Sequence, residues 1–298
     1  VSCHHPIKAF RTPDGVVFNE LRRHGNILGD IELPCGQCIG CRMRRASDWA
    51  LRVMHEASSH PANCFITLTY RPGALPANAS LEHGDFQAFM KRLRKSREPG
   101  RVRFYMCGEY GPENGRPHYH ACLFNVDFAD RVPAGKSKSG EQFFDSPELD
   151  SLWGHGKVSV QDLTRETASY CARYIMKKIL GQAAKNHYET TDPETGEIQS
   201  RRPEYAAMSL KPGIGAAWYS KYGRDIYPHD FAIQGGQKHA PPKYYDKLLK
   251  RQNPDLRERI ALQREAKGIL SKPEQTPERR EAREKVQLAK VSTLKRNL

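Results

Sequence analysis

The chain has 298 residues, with 48 Lys or Arg against 34 Asp or Glu, a formal net charge of +14 and a pI near 9.4. That length builds a full core without help from disulfides or oligomerisation, and the excess of positive charge selects a polyanionic partner, nucleic acid first. At a mean hydropathy of -0.73 there is no run of 18 apolar residues, and "VSCHHPIKAF" lacks the apolar stretch of a signal peptide, so a membrane role is excluded, a cytoplasmic location is expected and the eight cysteines are read as reduced.

In chain order, "RMRRASDWALRVMHEASSH" from Arg42 to about His60 sets Met43, Ala46, Trp49, Ala50, Val53, Met54 and Ala57 at helical spacing with arginines on the other face, which predicts an amphipathic basic helix. "CFITLTY", residues 64–70, is β-branched and aromatic between Pro61 and Pro72-Gly73 and predicts a core strand. "SLEHGDFQAFMKRLRKSR" predicts a helix with Asp85 as its N-cap and Phe86, Phe89, Met90 and Leu93 inward. Residues 102–109 and 117–124 are two further strands, joined by the turn-rich "YGPENGR". Residues 127–149, with "RVPAGKSKSGEQ", read as a polar loop or insertion; 157–163 as a short strand; 164–181 as a helix capped by Thr164 and stopped at Gly181; and 187–204 as a second polar excursion. From about Asp246 the chain is helix-prone, with fifteen Lys or Arg against eight Asp or Glu, half of the net positive charge.

The order strand, helix, strand, strand, strand, helix predicts an α+β fold on an antiparallel central sheet with helices on its face. Three segments are expected: 1–60, a cysteine-rich stretch with the basic helix; 61–245, the core with its polar insertions; and 246–298, the basic tail.

Three constellations carry chemistry. In "PHYHACLF" the strand alternation turns His118 and His120 to one face and Tyr119 to the other. A hairpin would set Glu109 almost opposite His118, with Cβ atoms ~5 Å apart, giving a facial N,N,O set with room for water and a phosphate oxygen, suited to Mg²⁺ or Mn²⁺. The bland reading is half-exposed strand histidines beside a solvated glutamate. In "SYCARYIMKK", Tyr170 and Tyr174 are four apart on one helical face, with Lys177 on the same stripe and Lys178 close by, so that cations are present to stabilise a phenolate. The alternative is the apolar face of a packed helix. Finally, Cys35, Cys38 and Cys41 form a C-x₂-C-x₂-C series that Cys3, or His4 or His5, could complete around Zn²⁺; an iron–sulfur cluster or unligated thiols are the alternatives. Such a box would anchor the basic helix, whose Arg42, Arg44, Arg45 and Arg52 are candidate phosphate contacts.

"CFITLTY", "GRPHYHACLF" and "YCARYIMK" resemble, in order and spacing, the three motifs of HUH endonucleases, the rolling-circle replication initiators. The double tyrosine looks like the superfamily 1 form. "PCGQCIGCRMRRASDWALR" followed by "FITLTY" and "CGEYGPENGRPHYH" resembles, over residues 1 to about 245, the replication initiators of gokushovirus-type Microviridae, small single-stranded-DNA phages. The resemblance implies an HUH/RRM-like nuclease core in the cytoplasm of a bacterial host. It also implies metal on His118, His120 and Glu109, tyrosine attack on the origin giving a 5′-phosphotyrosine and a free 3′-OH, and resealing of circles by the second tyrosine. Tyr174-x-x-Lys177 fits the family's Tyr-x-x-Lys, whereas Tyr170 is followed by Arg173. The family associates the first motif with DNA or fold support; Thr67 and Thr69 are equally explained by β-propensity and are not counted as catalytic. No Walker loop occurs, so a host helicase is expected beside a host DNA polymerase. A related HUH relaxase or transposase, a phosphoesterase with no covalent step, and a non-catalytic zinc-anchored nucleic-acid-binding protein are the other readings.

Overall fold

The computed structural model describes residues 3–18, 27–111, 114–137, 140–173, 184, 187–191 and 195–293. The chain separates into two compact units, one formed by the described residues of 1–45 and 258–294, the other by those of 46–257.

In the second unit a seven-stranded antiparallel sheet runs β12-β5-β6-β4-β9-β8-β7. Its centre is β4 (Asn63–Thr69), β5 (Arg103–Tyr110), β6 (Pro117–Phe124) and β9 (Val158–Asp162), the four strands legible in the sequence. Around them lie elements that the sequence reading left as loops. The 127–149 insertion is a hairpin, β7 (Val132–Lys136) with β8 (Gln142–Asp145), followed by α3 (Pro147–Trp153). Ser146 caps that helix by accepting from the Leu149 N–H, and Gly154 ends it at φ 70°. The second polar excursion carries the small hairpin β10 (Glu189–Thr191) with β11 (Ile198–Ser200), and just past it β12 (Tyr205–Met208) becomes the sheet edge beside β5.

Each face of the sheet is covered. On one, α2 (His83–Ser96) and α3 pack Phe86, Phe89, Met90, Leu93, Leu149 and Trp153 on Ile66, Leu68, Tyr119 and Val160. The cap of α2 is Glu82, which accepts from the Gly84 N–H, and not Asp85; Asp85 in the first turn instead accepts from the Tyr70 hydroxyl. On the other face, α1 (Ile39–Ala57) and α4 (Arg165–Arg173) bring Ala46, Val53, Ala57, Tyr170, Cys171 and Ala172 onto Phe65, Tyr105, Cys107 and Cys122. Thr164 and Thr167 close the start of α4 reciprocally, each hydroxyl accepting from the other's N–H. The sequence-predicted extension of this helix to Gly181, with Tyr174 and Lys177, lies outside the described residues.

The same unit holds α5 (Ala216–Ile226), the hairpin β13 (Ala232–Gln234) with β14 (Gln237–His239), and α6 (Lys243–Gln252). Here His55 stacks on Trp218 at 3.5 Å between ring centroids, and its Nδ1 lies 2.9 Å from the Tyr245 hydroxyl. Burial, with the charge of His239 adding to it, holds this imidazole down at about 4. Above pH ~6.5 the group is neutral folded or unfolded and contributes nothing. As pH falls from 6.5 to 4 only the unfolded chain takes the proton, so stability is lost in that window, by about 3 kcal/mol. Urea midpoints at pH 7.5 and 4.5 are expected to separate by about 2–3 kcal/mol more in the wild type than in His55→Gln; equal separations would mean that His55 does not titrate this way.

The first unit contains a three-stranded sheet, β1 (Ile7–Thr12) between β2 (Gly15–Val17) and β3 (Gly29–Leu33), which the sequence reading did not anticipate. The tail helices are α7 (Pro254–Leu270) and α8 (Pro277–Ser292). The latter reaches back to the N-terminal segment: Glu284 meets His5 at 2.7 Å, Gln287 meets His4 at 2.7 Å, and Arg280 grips Glu32. Among the described residues no helix is long and apolar enough to cross a membrane.

Candidate metal centre and tyrosine helix

The β5–β6 register pairs Glu109 with His118 and Cys107 with His120, which puts one carboxylate and two imidazoles on one face. Tyr119, between the histidines, points through the sheet, where its hydroxyl donates to the Glu82 carbonyl at 2.7 Å. The alternation thus divides "HYH" into two ligand candidates and one core residue. Glu109 Oε1 lies 2.7 Å from His118 Nε2 and 3.0 Å from His120 Nε2, and the three ligand atoms sit within 4.8 Å of one another. Glu109 is 1% exposed and His120 3%, so neither is a solvated surface group.

The outer nitrogens are held as well. His118 Nδ1 is 3.1 Å from the Arg116 carbonyl, which can only accept, so Nδ1 carries the proton and Nε2 is left as the lone-pair atom. His120 Nδ1 is 3.0 Å from Thr67 Oγ1, which can orient it in the same way. Burial pushes the Glu109 carboxyl up, but hydrogen bonds from the two imidazoles, and their charge, outweigh it and hold the group at about 2. A permanently ionised carboxylate facing two imidazole nitrogens with fixed outer protons is a donor set that fits a divalent cation. Thr67 was therefore more than a β-forming residue. Its signal was available, since it is paired with His120 across β4 and β6.

Beneath the site lie Cys107, Cys122 and Cys171, all fully buried, with Cys171 Sγ 3.5 Å from Cys107 Sγ. Burial raises the Cys107 and Cys171 thiols well above their ordinary range, so they form a neutral, low-dielectric floor. Above His120 stands Tyr170 of α4, ring perpendicular at 5.1 Å between centroids, itself 6% exposed. Tyr174 and Lys177, the other two sequence-predicted catalytic candidates, fall outside the described residues.

Cys3, Cys35, Cys38 and Cys41 come together in the first unit, with their Sγ atoms within 4.8 Å of one another. His4 donates its N–H to Cys38 Sγ at 3.3 Å, and the Cys35 and Cys38 amides donate at 3.3 Å to the sulfurs of Cys3 and Cys35. Amides aimed at sulfur favour thiolate, the form that binds metal. His4 and His5 face Gln287 and Glu284, which leaves Cys3 as the fourth member. Of the arginines on α1, Arg42 and Arg44 are half-buried and Arg45 exposed. Arg52 is packed between Trp49 and Tyr244 and donates to the Ile214 carbonyl at 3.0 Å.

Fold and site together are of the replication-initiator class that the sequence resembles. Residues 63–179, from β4 into the tyrosine segment, match the family model described as replication-associated protein ORF2. The chain is 31% identical over 261 residues to the replication-associated protein VP4 of Bdellovibrio phage phiMH2K, covering 85% of this chain and 78% of that one. It is 30% identical over 246 residues to the replication-associated protein ORF2 of Spiroplasma virus 4, covering 76% and 70%. With the replication-associated protein ORF4 of Chlamydia phage 1 it shares 28% over 227 residues, 74% of this chain and 54% of that one. No solved structure matches. The chain belongs to this family of phage replication-associated proteins, as the resemblance to Microviridae initiators implied.

Proposed function

We propose that the protein initiates rolling-circle replication of a small single-stranded-DNA phage genome by nicking its origin and later resealing the strand. The observation that carries this is the Glu109, His118 and His120 cluster on the sheet face directly under the tyrosine helix, inside the segment that matches the family. A divalent cation held by these three residues, Mg²⁺ or Mn²⁺, would polarise the scissile phosphate as a Lewis acid. The His118 and His120 Nε2 atoms and the Glu109 carboxylate are kept in position by Arg116, Thr67 and one another. A tyrosine oxygen, from Tyr170 or Tyr174, bonds to phosphorus; the bond to the 3′ oxygen breaks, that oxygen takes up a proton, and the 5′ phosphate stays on the tyrosine. Lys177 stabilises the phenolate. Arg42, Arg44, Arg45 and the basic tail supply phosphate contacts, while a host helicase and polymerase provide unwinding and extension.

Mass spectrometry of the protein after incubation with origin-bearing single-stranded DNA and Mn²⁺ tests this reading: a metal-dependent covalent adduct on Tyr170 or Tyr174 is expected. Binding without nicking under all divalent ions would leave the protein a non-catalytic nucleic-acid-binding module.

For the cysteine box we infer Zn²⁺ in a closed tetrathiolate site that ties the N-terminal segment to the start of α1. Purified protein is expected to carry about one zinc per chain. Losing one ligand costs at least the ~10–100-fold in affinity that losing an outer-shell partner does, so Cys38→Ser should lose the metal on dialysis. A visible charge-transfer band from iron would overturn the assignment to zinc.

A further inference from the structure

The face that bears the histidines continues past β4. Thr67 is in register with His120 on one side and Ser159 on the other, and Phe65 with Gln161, so Ser159 and Gln161 share the metal face. On β8 the neighbouring Phe144 pairs with Val160 on the opposite face, which turns Phe143 to this one. Between β4, β9 and the β7–β8 hairpin lies a groove of about 220 Å³, lined by Thr67, Thr69, Phe143, Lys157, Ser159 and Gln161. Its β9 wall runs two strand spacings, ~10 Å, from the strand that carries His120.

Gln161 is the telling residue. Its side chain lines the groove and is 4% exposed, yet among the described residues its amide makes no hydrogen bond. Withdrawing an amide from water without a partner is unfavourable, and such groups in native proteins call for an explanation. An amide offers one acceptor and a donor side by side, the pattern that pairs with a base edge. The Phe143 ring provides an aromatic wall. It lies over Gly135, where a Cβ would come within 3.1 Å of the ring and where the strand bulges between Pro133 and Gly135. Lys157 stands exposed at the rim.

We propose that this groove is a base-reading subsite for one unpaired deoxynucleotide of the substrate strand, with Gln161 hydrogen-bonding the base edge, Phe143 stacking on its face and Lys157 meeting its phosphate. The proposal rests on the reading of the metal site as one that acts on single-stranded DNA. In a duplex the base faces are covered by their neighbours, so stacking on Phe143 requires an unpaired base. The volume admits one base and no pair.

The test is selection of full-length protein against a random-sequence single-stranded DNA pool, without added divalent ion, followed by sequencing of the retained strands. Wild type is expected to show base preferences at several positions. Gln161→Leu should erase the preference at one position by ~10-fold while its affinity for the unselected pool stays within ~3-fold, because phosphate contacts carry most of that affinity. Gln161→Glu, which replaces the donor by an acceptor, should move that preference toward bases presenting a donor. Phe143→Ala, at a half-buried site that tolerates truncation, should lower affinity ~10-fold irrespective of the base at that position. Unchanged preferences in the Gln161 variants, together with unchanged affinity in Phe143→Ala, overturn the subsite. Nicking of the selected strands by wild type with Mn²⁺ is read separately: cutting with a Gln161-independent preference sinks the groove alone, and a Gln161-dependent preference without cutting sinks nicking alone.

Discussion

His118→Ala and His120→Ala are each expected to lower nicking of origin-bearing single-stranded DNA by ~10³-fold or more while leaving DNA affinity within about threefold of wild type. The two effects separate because they arise from different groups. A metal-polarised phosphate lowers the barrier by several kcal/mol, and ~4 kcal/mol is already three orders of magnitude in rate. Affinity comes from cations spread over a chain of net charge +14, of which no imidazole is a necessary part. His120 is 3% exposed and packs on Phe65, so His120→Asn, which keeps volume and polarity, accompanies it as a fold control. Single-turnover nicking with Mn²⁺ and fluorescence anisotropy of the same oligonucleotide measure the two quantities. Normal cleavage by either variant removes the metal assignment; equal loss of binding and cleavage makes the histidines structural.

The metal face was legible because two short-range rules define it. Period-two alternation fixes which face His118 and His120 share, and a tight hairpin fixes Glu109 opposite His118; the observed register is the inferred one. The cysteine cluster was legible from spacing alone, since Cys35, Cys38 and Cys41 fall at consecutive turns of one segment. What sequence did not disclose depends on partners far along the chain. β7 is exposed and polar, with no apolar alternation to announce it, and becomes a strand by pairing with β8 at the sheet edge. β12 is four residues, defined only by its ladder to β5 about a hundred positions earlier. Glu32 and Arg280 are separated by 248 residues, a pairing that no local pattern can suggest. The arginines of α1 illustrate the same limit at single-residue scale: Arg52 reads as a phosphate contact by its neighbours in sequence, but Trp49, Tyr244 and the Ile214 carbonyl engage its guanidinium. Gln161, in an unremarkable "VSVQDL", carried no signal at all until its unpaired amide was seen facing a groove.

The tyrosines divide one reaction cycle in the proposed mechanism, which makes a sharp prediction about products. Each of Tyr170→Phe and Tyr174→Phe is expected to retain some covalent adduct on a short single-stranded substrate, and the double variant to fall below ~10⁻³ of wild type, since no phenol remains to bond to phosphorus. Resealed circles should fail in both single variants, because once one tyrosine is esterified no second nucleophile is ready for the next 5′ end. Tyr170 has the geometry for this role, standing 5.1 Å from the His120 ring on a helix packed across the metal face. It also makes an edge contact with Phe65 and is 6% exposed, as a packing residue would be. Circle yield tells the roles apart. Loss of the hydroxyl in Tyr170→Phe leaves the ring, and therefore the packing on His120 and Phe65, in place, so a drop in circles with an unchanged melting temperature reports the missing nucleophile. Circle production equal to wild type would make Tyr170 the wall that holds His120 upright and leave Tyr174, with Lys177, to act alone.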